Sequence, residues 1–343
     1  MREFSVTNRY LLHMAILVAT IVLSVSCNQV EVLSTNTSQQ GVPLQVSSGL
    51  TSVTRAVGTA WESNDQIGVF TTANVSSPTI STKSGALNDA NVLYQIDADI
   101  SGYDGDTSGS LTNAKAFKPL STTATIYLPF DGSPVNVYAY YPYTTGIGDD
   151  GIMSLNIESS KQTTPKEIDL MTASAISTSQ APIDALHPSA QLLFNHRLSK
   201  ITINVKAGSG YSDSEILGNT AITLKGTPHT ASFALYTSTL SNFSTATNIV
   251  PRKLTSATDG YLETYEVIVL PNETGNEAGE GREIEFKVGD TENGYYRYAI
   301  PSNKSFVKGE NTIYNITLSP TGLNISASIV GWSEGDPVNQ TLK

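Results

Sequence analysis

A hydrophobic pattern of period two recurs along almost the whole chain, while helical spacing is nearly absent, and this constrains the fold more than any other feature. Short alternating or β-branched runs appear as VPLQVSSGL, DQIGVF, TATIYLPF, VNVYAYY, LLFNHRLSKITINV, AITLK, ASFALY, TYEVIVL, EIEFKV, YYRYAI, NTIYNITL and LNISASIV. Clusters of Gly, Pro, Ser, Asn and Asp separate them, which is turn chemistry. The nearest approach to a helix is a turn or two around Asp184 to Leu186. A sheet buries only one face unless another layer covers the second, so many short strands without helices predict an all-β chain built from sandwiches.

The first 26 residues have a different character. Arg2 and Arg9 precede an apolar run from Tyr10 to Val25, too short and too soon interrupted for a comfortable membrane span. It ends in LSVSC, so residues 1–26 read as an export signal, with Cys27 as the first mature residue. Leu23 lies one position further from Cys27 than the usual lipobox places it, and a plain secretory signal with an incidental cysteine is the alternative. Thioether-linked diacylglycerol and a palmitate chain on Cys27 would tether the protein to the outer membrane, since each buried methylene adds about 0.8 kcal/mol of bilayer affinity. Cys27 is the only cysteine, and its acylation leaves no thiol for a disulfide, a thiolate metal site or cysteine catalysis.

A formal charge of −11 and a pI near 4.8 argue against nucleic acid as a partner. With 343 residues and 39% hydrophobic content, the chain is long enough for two ordinary domains. Residues 28–41 are polar and aperiodic, as in a tether. Val42, Leu44, Val46 and Leu50 then fall on one face of an extended strand, with Gln45, Ser47 and Thr51 on the other. Leu323, Ile325, Ala327 and Ile329 alternate in the same way near the C-terminus, so either segment could pair with the same sheet edge. A polar stretch with Pro182 and Pro188 places the boundary after residue 188. The divisions expected are a tether and leading strand over 27–55, an N-terminal sandwich over 56–188 and a C-terminal sandwich over 189–343.

No catalytic constellation stands out. His187, His196 and His229 are scattered, there is no HExxH or GxSxG, and no cofactor motif is found. Asp104, Asp106 and Ser108 have the spacing of half a calcium loop, but Lys115 occupies the position of the bidentate glutamate, so a polar hairpin is the better reading and no metal is expected. Tyr138, Tyr140, Tyr141 and Tyr143, with Tyr295, Tyr296 and Tyr298, would suit stacked sugars if exposed and a core if alternate residues turn inward. The tryptophans introduce a weak internal echo, Trp61 to Asp65 and Trp332 to Asp336.

Taken together, the signal ending at Cys27 and the blocks TRAVGTAWESNDQIGVF (54–70), VYAYYPY (137–143), DLMTASA (169–175), LLFNHRLSKITINV (192–205) and SIVGWSEGD (328–336) resemble the fimbrillin family, the Mfa-like and FimA-like subunits of type V pili of Bacteroidia. The resemblance implies two transthyretin-like sandwiches and export as a lipoprotein. It also implies removal of a leading strand by a trypsin-like, arginine-specific surface protease, and polymerisation with other pilus subunits by strand donation. In this sequence Arg55 is the first basic residue after a stretch from Asn28 to Thr54 without Lys or Arg, so cleavage between Arg55 and Ala56 is expected. The exchanging residues would be Val42, Leu44, Val46 and Leu50, with Leu323, Ile325, Ala327 and Ile329 or the tail 333–343 as donor. Host or bacterial surface glycans or proteins are further candidate partners. A monomeric glycan-binding lipoprotein and a non-polymerising anchor or accessory subunit are the alternatives.

Overall fold

The computed structural model describes residues 41–49, 61–75, 90–96, 115–148, 150–272, 281–289 and 294–332, all within the compact unit Gly41–Lys343. Its strands are β1 (Gln45–Gly49), β2 (Gln66–Ala73), β3 (Val92–Ile96), β4 (Lys115–Pro119), β5 (Val135–Tyr141), β6 (Ile152–Asn156), β7 (Met171–Ala175), β8 (Ser189–Leu193), β9 (Asn195–His196) and β10 (Ser199–Ala207). There follow β11 (Thr220–Thr227), β12 (Thr230–Ala234), β13 (Thr239–Ser241), β14 (Thr247–Ile249), β15 (Arg252–Lys253), β16 (Glu263–Val269), β17 (Glu283–Val288), β18 (Tyr295–Ala299), β19 (Glu310–Ser319) and β20 (Gly322–Gly331). The all-β expectation holds. Four sheets form, with orders β8-β1-β4-β3-β2-β5-β7-β9, β15-β16-β10-β19-β20, β14-β11-β17-β18 and β13-β12-β6.

Two apolar clusters fill the space between sheets. One gathers Leu44, Val46, Trp61, Ile67, Val69, Phe117 and Phe194, and the other is larger and includes Ile201, Ile203, Val205, Phe233, Phe286 and Trp332. Strand β5 serves both, because its side chains alternate across the sheet. Val135, Val137, Ala139 and Tyr141 enter the first cluster, while Tyr138 and Tyr140 enter the second. A strand covered on both faces is largely apolar, and every residue of β5 is buried; its Asn136 is satisfied by accepting the Ser177 amide at 3.0 Å. Opposite Tyr140 stands Gly68, where any Cβ would overlap the Tyr140 ring, so glycine is required by close approach. The polar face of β10 is satisfied internally: Asn204 Nδ2 donates to Asn315 Oδ1 at 2.8 Å, and Thr264 Oγ1 donates to Asn204 Oδ1 at 2.9 Å.

Strands β8 and β9 follow the boundary expected after residue 188 and lie in the eight-stranded sheet. Cluster membership then passes from Phe194 to Leu198 across three residues. Strand β6 pairs with β12, from Ile152↔Ala234 to Asn156↔Thr230, so sequence-distant halves share a sheet. Gln162, 2% exposed, donates from Nε2 to the carbonyls of Ile157 and Ile268 and accepts the Ile268 amide at 2.8 Å.

Two local expectations differ. TATIYLPF forms a 3₁₀ turn at Thr122–Ala124 and an isolated Pro43↔Tyr127 bridge instead of a full strand, although Ile126 and Leu128 are buried. Residues 184–187 make a bridged turn, closed by Asp184 Oδ1 accepting the Leu186 and His187 amides, and not a helix. The described α-helix is α1 (Asp213–Ile216), where the Ser212 amide donates to Glu215 Oε2 at 2.7 Å. One turn is too short to show a hydrophobic period, but its S-x-x-E capping signature was available.

Candidate strand-exchange site

Strand β1 is a wedge rather than an edge. It runs parallel to β8, with Gln45–Gly49 against Ser189–Leu193, and antiparallel to β4, where Val46 faces Phe117. Backbone bonds extend this pairing upstream: the Leu44 amide donates to the Ile126 carbonyl at 2.9 Å, and the Leu128 amide donates to the Val42 carbonyl at 2.9 Å. The Gln45 amide reaches the Pro188 carbonyl at 2.7 Å. A short segment thus closes the gap between two strands that are not otherwise paired, and its loss would leave two rows of backbone groups without partners.

Side chains fix the register. Leu44 and Val46 are each 3% exposed, and Ser48, next on the same face, is fully buried and accepts a hydrogen bond from Trp61 Nε1 at 3.0 Å. The Trp61 ring meets Phe117, Tyr141 and Phe194 edge-on, with centroids 5.2, 5.4 and 5.2 Å away. Edge-to-face geometry suits aromatic quadrupoles and adds about 0.5–1.5 kcal/mol per pair beyond area burial. Alongside β1 runs a groove of about 270 Å³, lined by Leu44, Val46, Ala116, Phe117, Pro119 and Ser189 among others. One correction concerns Val42: it is 38% exposed, because it precedes the strand and contributes its carbonyl, not its side chain. Leu50, Arg55, Ala56 and Cys27 lie outside the described residues.

The second proposed segment is β20, paired with β19 over its whole length from Ser319↔Gly322 to Glu310↔Gly331, at the edge of its sheet. Leu323, Ile325 and Ala327 pack, partly buried, against the larger cluster, and Ile329 is half-buried. The C-terminal candidate is therefore paired as a strand within its own chain. The tail 333–343 lies outside the described residues.

Sequence reasoning missed how the resembling blocks meet. Phe194 and His196, two residues apart, receive the two tryptophans: Trp61 packs on Phe194, and Trp332 stacks on His196 at 4.2 Å with a 3° interplanar angle. His196 Nδ1 donates to Asp169 Oδ1 at 2.7 Å, and neither side chain is exposed. Burial pushes the Asp169 carboxyl above its ordinary range, opposed by the attraction of His196. The signal that could have located this site was the coincidence of Asp169, His196 and Trp332 in three of the quoted blocks.

The remaining candidates have ordinary roles. His187 pairs with Asp184 at 3.0 Å, and His229 lies beside Ser244. Among the described residues no group of three His, Cys, Asp or Glu side chains could hold a metal ion, and Asp104 to Ser108 lie outside them. Tyr138, Tyr140 and Tyr141 are core residues, which removes most of one tyrosine platform; Tyr295 is 50% exposed and Tyr296 9%. The Tyr140 hydroxyl donates to Asn91 Oδ1 at 2.7 Å and burial raises its pKa, as expected for a packed phenol.

Comparison with known proteins agrees with this architecture. A candidate fimbrium subunit of Bacteroides uniformis, Fim1C, is 28% identical over 308 residues, 88% of each chain. A crystal structure of a candidate cell adhesion protein from Bacteroides uniformis superposes with a TM-score of 0.62 at 24% identity, covering 85% of this chain and 98% of that one. A second, from Bacteroides ovatus, gives 0.60 at 23% identity, covering 86% and 99%. The model of the fimbrillin-like family matches residues 54–332, and the chain belongs to that family of fimbrial subunits.

Proposed function

We propose that this protein is a structural subunit of a cell-surface fimbria that assembles by exchange of strands between subunits and supports adhesion. In this reading it is exported as a lipoprotein through Cys27, anchored in the outer membrane, and matured by an arginine-specific surface protease cutting between Arg55 and Ala56. The observation that carries the reading is β1: a strand wedged between β4 and β8 and contributed by chain upstream of Arg55. Its removal opens an apolar groove flanked by two unpaired strand edges, one on β4 and one on β8, a template for strand addition. Leu44 and Val46 are its two large buried side chains, so a replacement strand gains roughly 3–6 kcal/mol from matching residues before ordering costs. Two sandwich domains, the first starting near Ala56 and the second near residue 189, are part of the same proposal, with β8 and β9 lending their strands to the first domain's sheet.

Mass spectrometry of surface protein gives the first test, since a chain starting at Ala56 supports maturation and one starting at acylated Cys27 opposes it. Lipidation is tested separately: Cys27→Ala should take up no labelled palmitate and retain its signal. For assembly, purified chain is cut at Arg55 and compared with versions ending at Pro320 or Gly335. Ladders from the full chain, lost in at least one truncation, are expected. A cut, folded chain that stays monomeric would overturn strand exchange for this subunit.

A further inference from the structure

Strand β20 is held to its subunit in an uneven way. Among the described residues it is paired with one strand, β19, and it carries no charged residue. From Gly322 to Gly331 every side-chain position is half-buried or exposed. Trp332, immediately after the strand, is the exception at 3% exposed. Its indole lies flat on His196, whose ring is fixed from behind by the buried Asp169 carboxylate at 2.7 Å. Lys200 Nζ stands 5.7 Å from the indole centroid and is itself paired with Glu266 at 3.2 Å. The Trp332 amide donates to the Gly309 carbonyl, and the Gly309 amide donates to the Leu198 carbonyl, both at 2.8 Å, so the backbone is pinned beside the ring.

We propose that the Asp169–His196 slot is a latch for Trp332 that keeps the C-terminal strand on its own subunit and sets the threshold for releasing it to another. The first half of this statement stands on geometry; the second rests on the strand-exchange reading above. An edge strand whose side chains are only half buried is retained mainly by its ladder bonds, which open and close locally at modest cost. One fully buried indole at its end, stacked on a ring that cannot rotate away because Asp169 holds it, couples release of the strand to withdrawal of that indole. His196 and Asp169 are positioning residues: they shape the slot, and both side chains are buried within this chain. The slot also places the control far from the β1 groove in sequence, since Asp169 precedes β7 and His196 ends β9.

The test uses the full chain after its signal, with Trp332→Ala, Trp332→Phe and Asp169→Asn, and reads amide hydrogen exchange peptide by peptide. Trp332→Ala should speed exchange across 322–331 by about ten- to a hundredfold, leaving the β10 and β16 amides within about twofold of wild type. Trp332→Phe, which can still stack, should restore most of the protection, and Asp169→Asn should fall between them. Unchanged exchange in β20, or equal acceleration throughout the sheet, would overturn the latch. Each variant is then cut at Arg55 and its ladder formation timed. Faster ladders from Trp332→Ala support both statements; selective opening of β20 without any ladders from any chain, wild type included, supports the latch and overturns strand exchange.

Discussion

Leu44→Ala is the sharpest probe of β1 as a removable strand. Leu44 is 3% exposed, and its side chain packs in the smaller cluster with Val46, Trp61 and Phe117. Burial-to-alanine changes of leucine cost about 2–5 kcal/mol, more when the cavity cannot collapse. Here a groove of about 270 Å³ already adjoins the site, so the new void merges with accessible space and the lower part of that range applies, about 2–3 kcal/mol. The backbone bond from the Leu44 amide to Ile126 is untouched, which confines the effect to packing. In the uncut chain this loss should appear as a lower urea midpoint, followed by Trp61 emission in a Trp332→Phe background so that one cluster is reported. With an m-value of roughly 2–3 kcal/mol/M, the midpoint falls by about 1 M. After cutting at Arg55 the segment is held without a covalent link, and the same 2–3 kcal/mol weakens its retention by roughly 30- to 150-fold. Mass spectrometry of the size-exclusion peak measures how much segment remains. Equal retention of the cut segment in Leu44→Ala and wild type, or a midpoint shift corresponding to less than about 0.5 kcal/mol, would refute the reasoning.

Gly68→Ala should cost about 2–3 kcal/mol, or roughly 5–10 °C by calorimetry, because the added methyl overlaps the Tyr140 ring; a shift under about 2 °C contradicts the packing. Gln162→Ala removes two donors and one acceptor and leaves the buried Ile268 amide without a partner, so a loss of about 2–4 kcal/mol is expected in urea unfolding. Lys225→Met should raise the Glu285 pKa seen by carbon-detected NMR titration, since the hydrogen bond from Lys225 is the main cause of its depression. A depressed carboxyl contributes stability at pH above its unfolded value and loses it on acidification through the folded value. Lys225→Met should therefore flatten the acid limb of the stability profile; an unchanged Glu285 titration contradicts this.

How much of this was legible beforehand depended on the range of the interaction. Period-two runs such as VNVYAYY, EIEFKV and NTIYNITL became β5, β17 and β19, because which face of a strand is buried is written locally in alternate residues. Short strands of small or mixed residues escaped: β4 (KAFKP) and β7 (MTASA) have little period of their own and exist because neighbours supply their ladders. TATIYLPF shows the converse, a strand-like run that becomes a turn and a bridge because it meets only Pro43 in an isolated pair.

The candidate site divides along the same line. Sequence alone determined that Leu44 and Val46 turn inward, that Val42 to Val46 and Leu323 to Ile329 carry apolar residues at every second position, and that Arg55 is the first basic residue beyond Cys27. These properties depend on residue type and spacing over a few positions. Only the tertiary structure decided that β1 is wedged between β4 and β8, that Val42 faces outward, and that β20 has a single paired strand among the described residues. It alone brought Asp169, His196 and Trp332 together across 163 positions of chain, from 169 to 332. Strand order and such stacking depend on which distant backbone edges and faces meet, and that choice is made by summed burial over the whole sheet, with no residue-to-residue period to announce it.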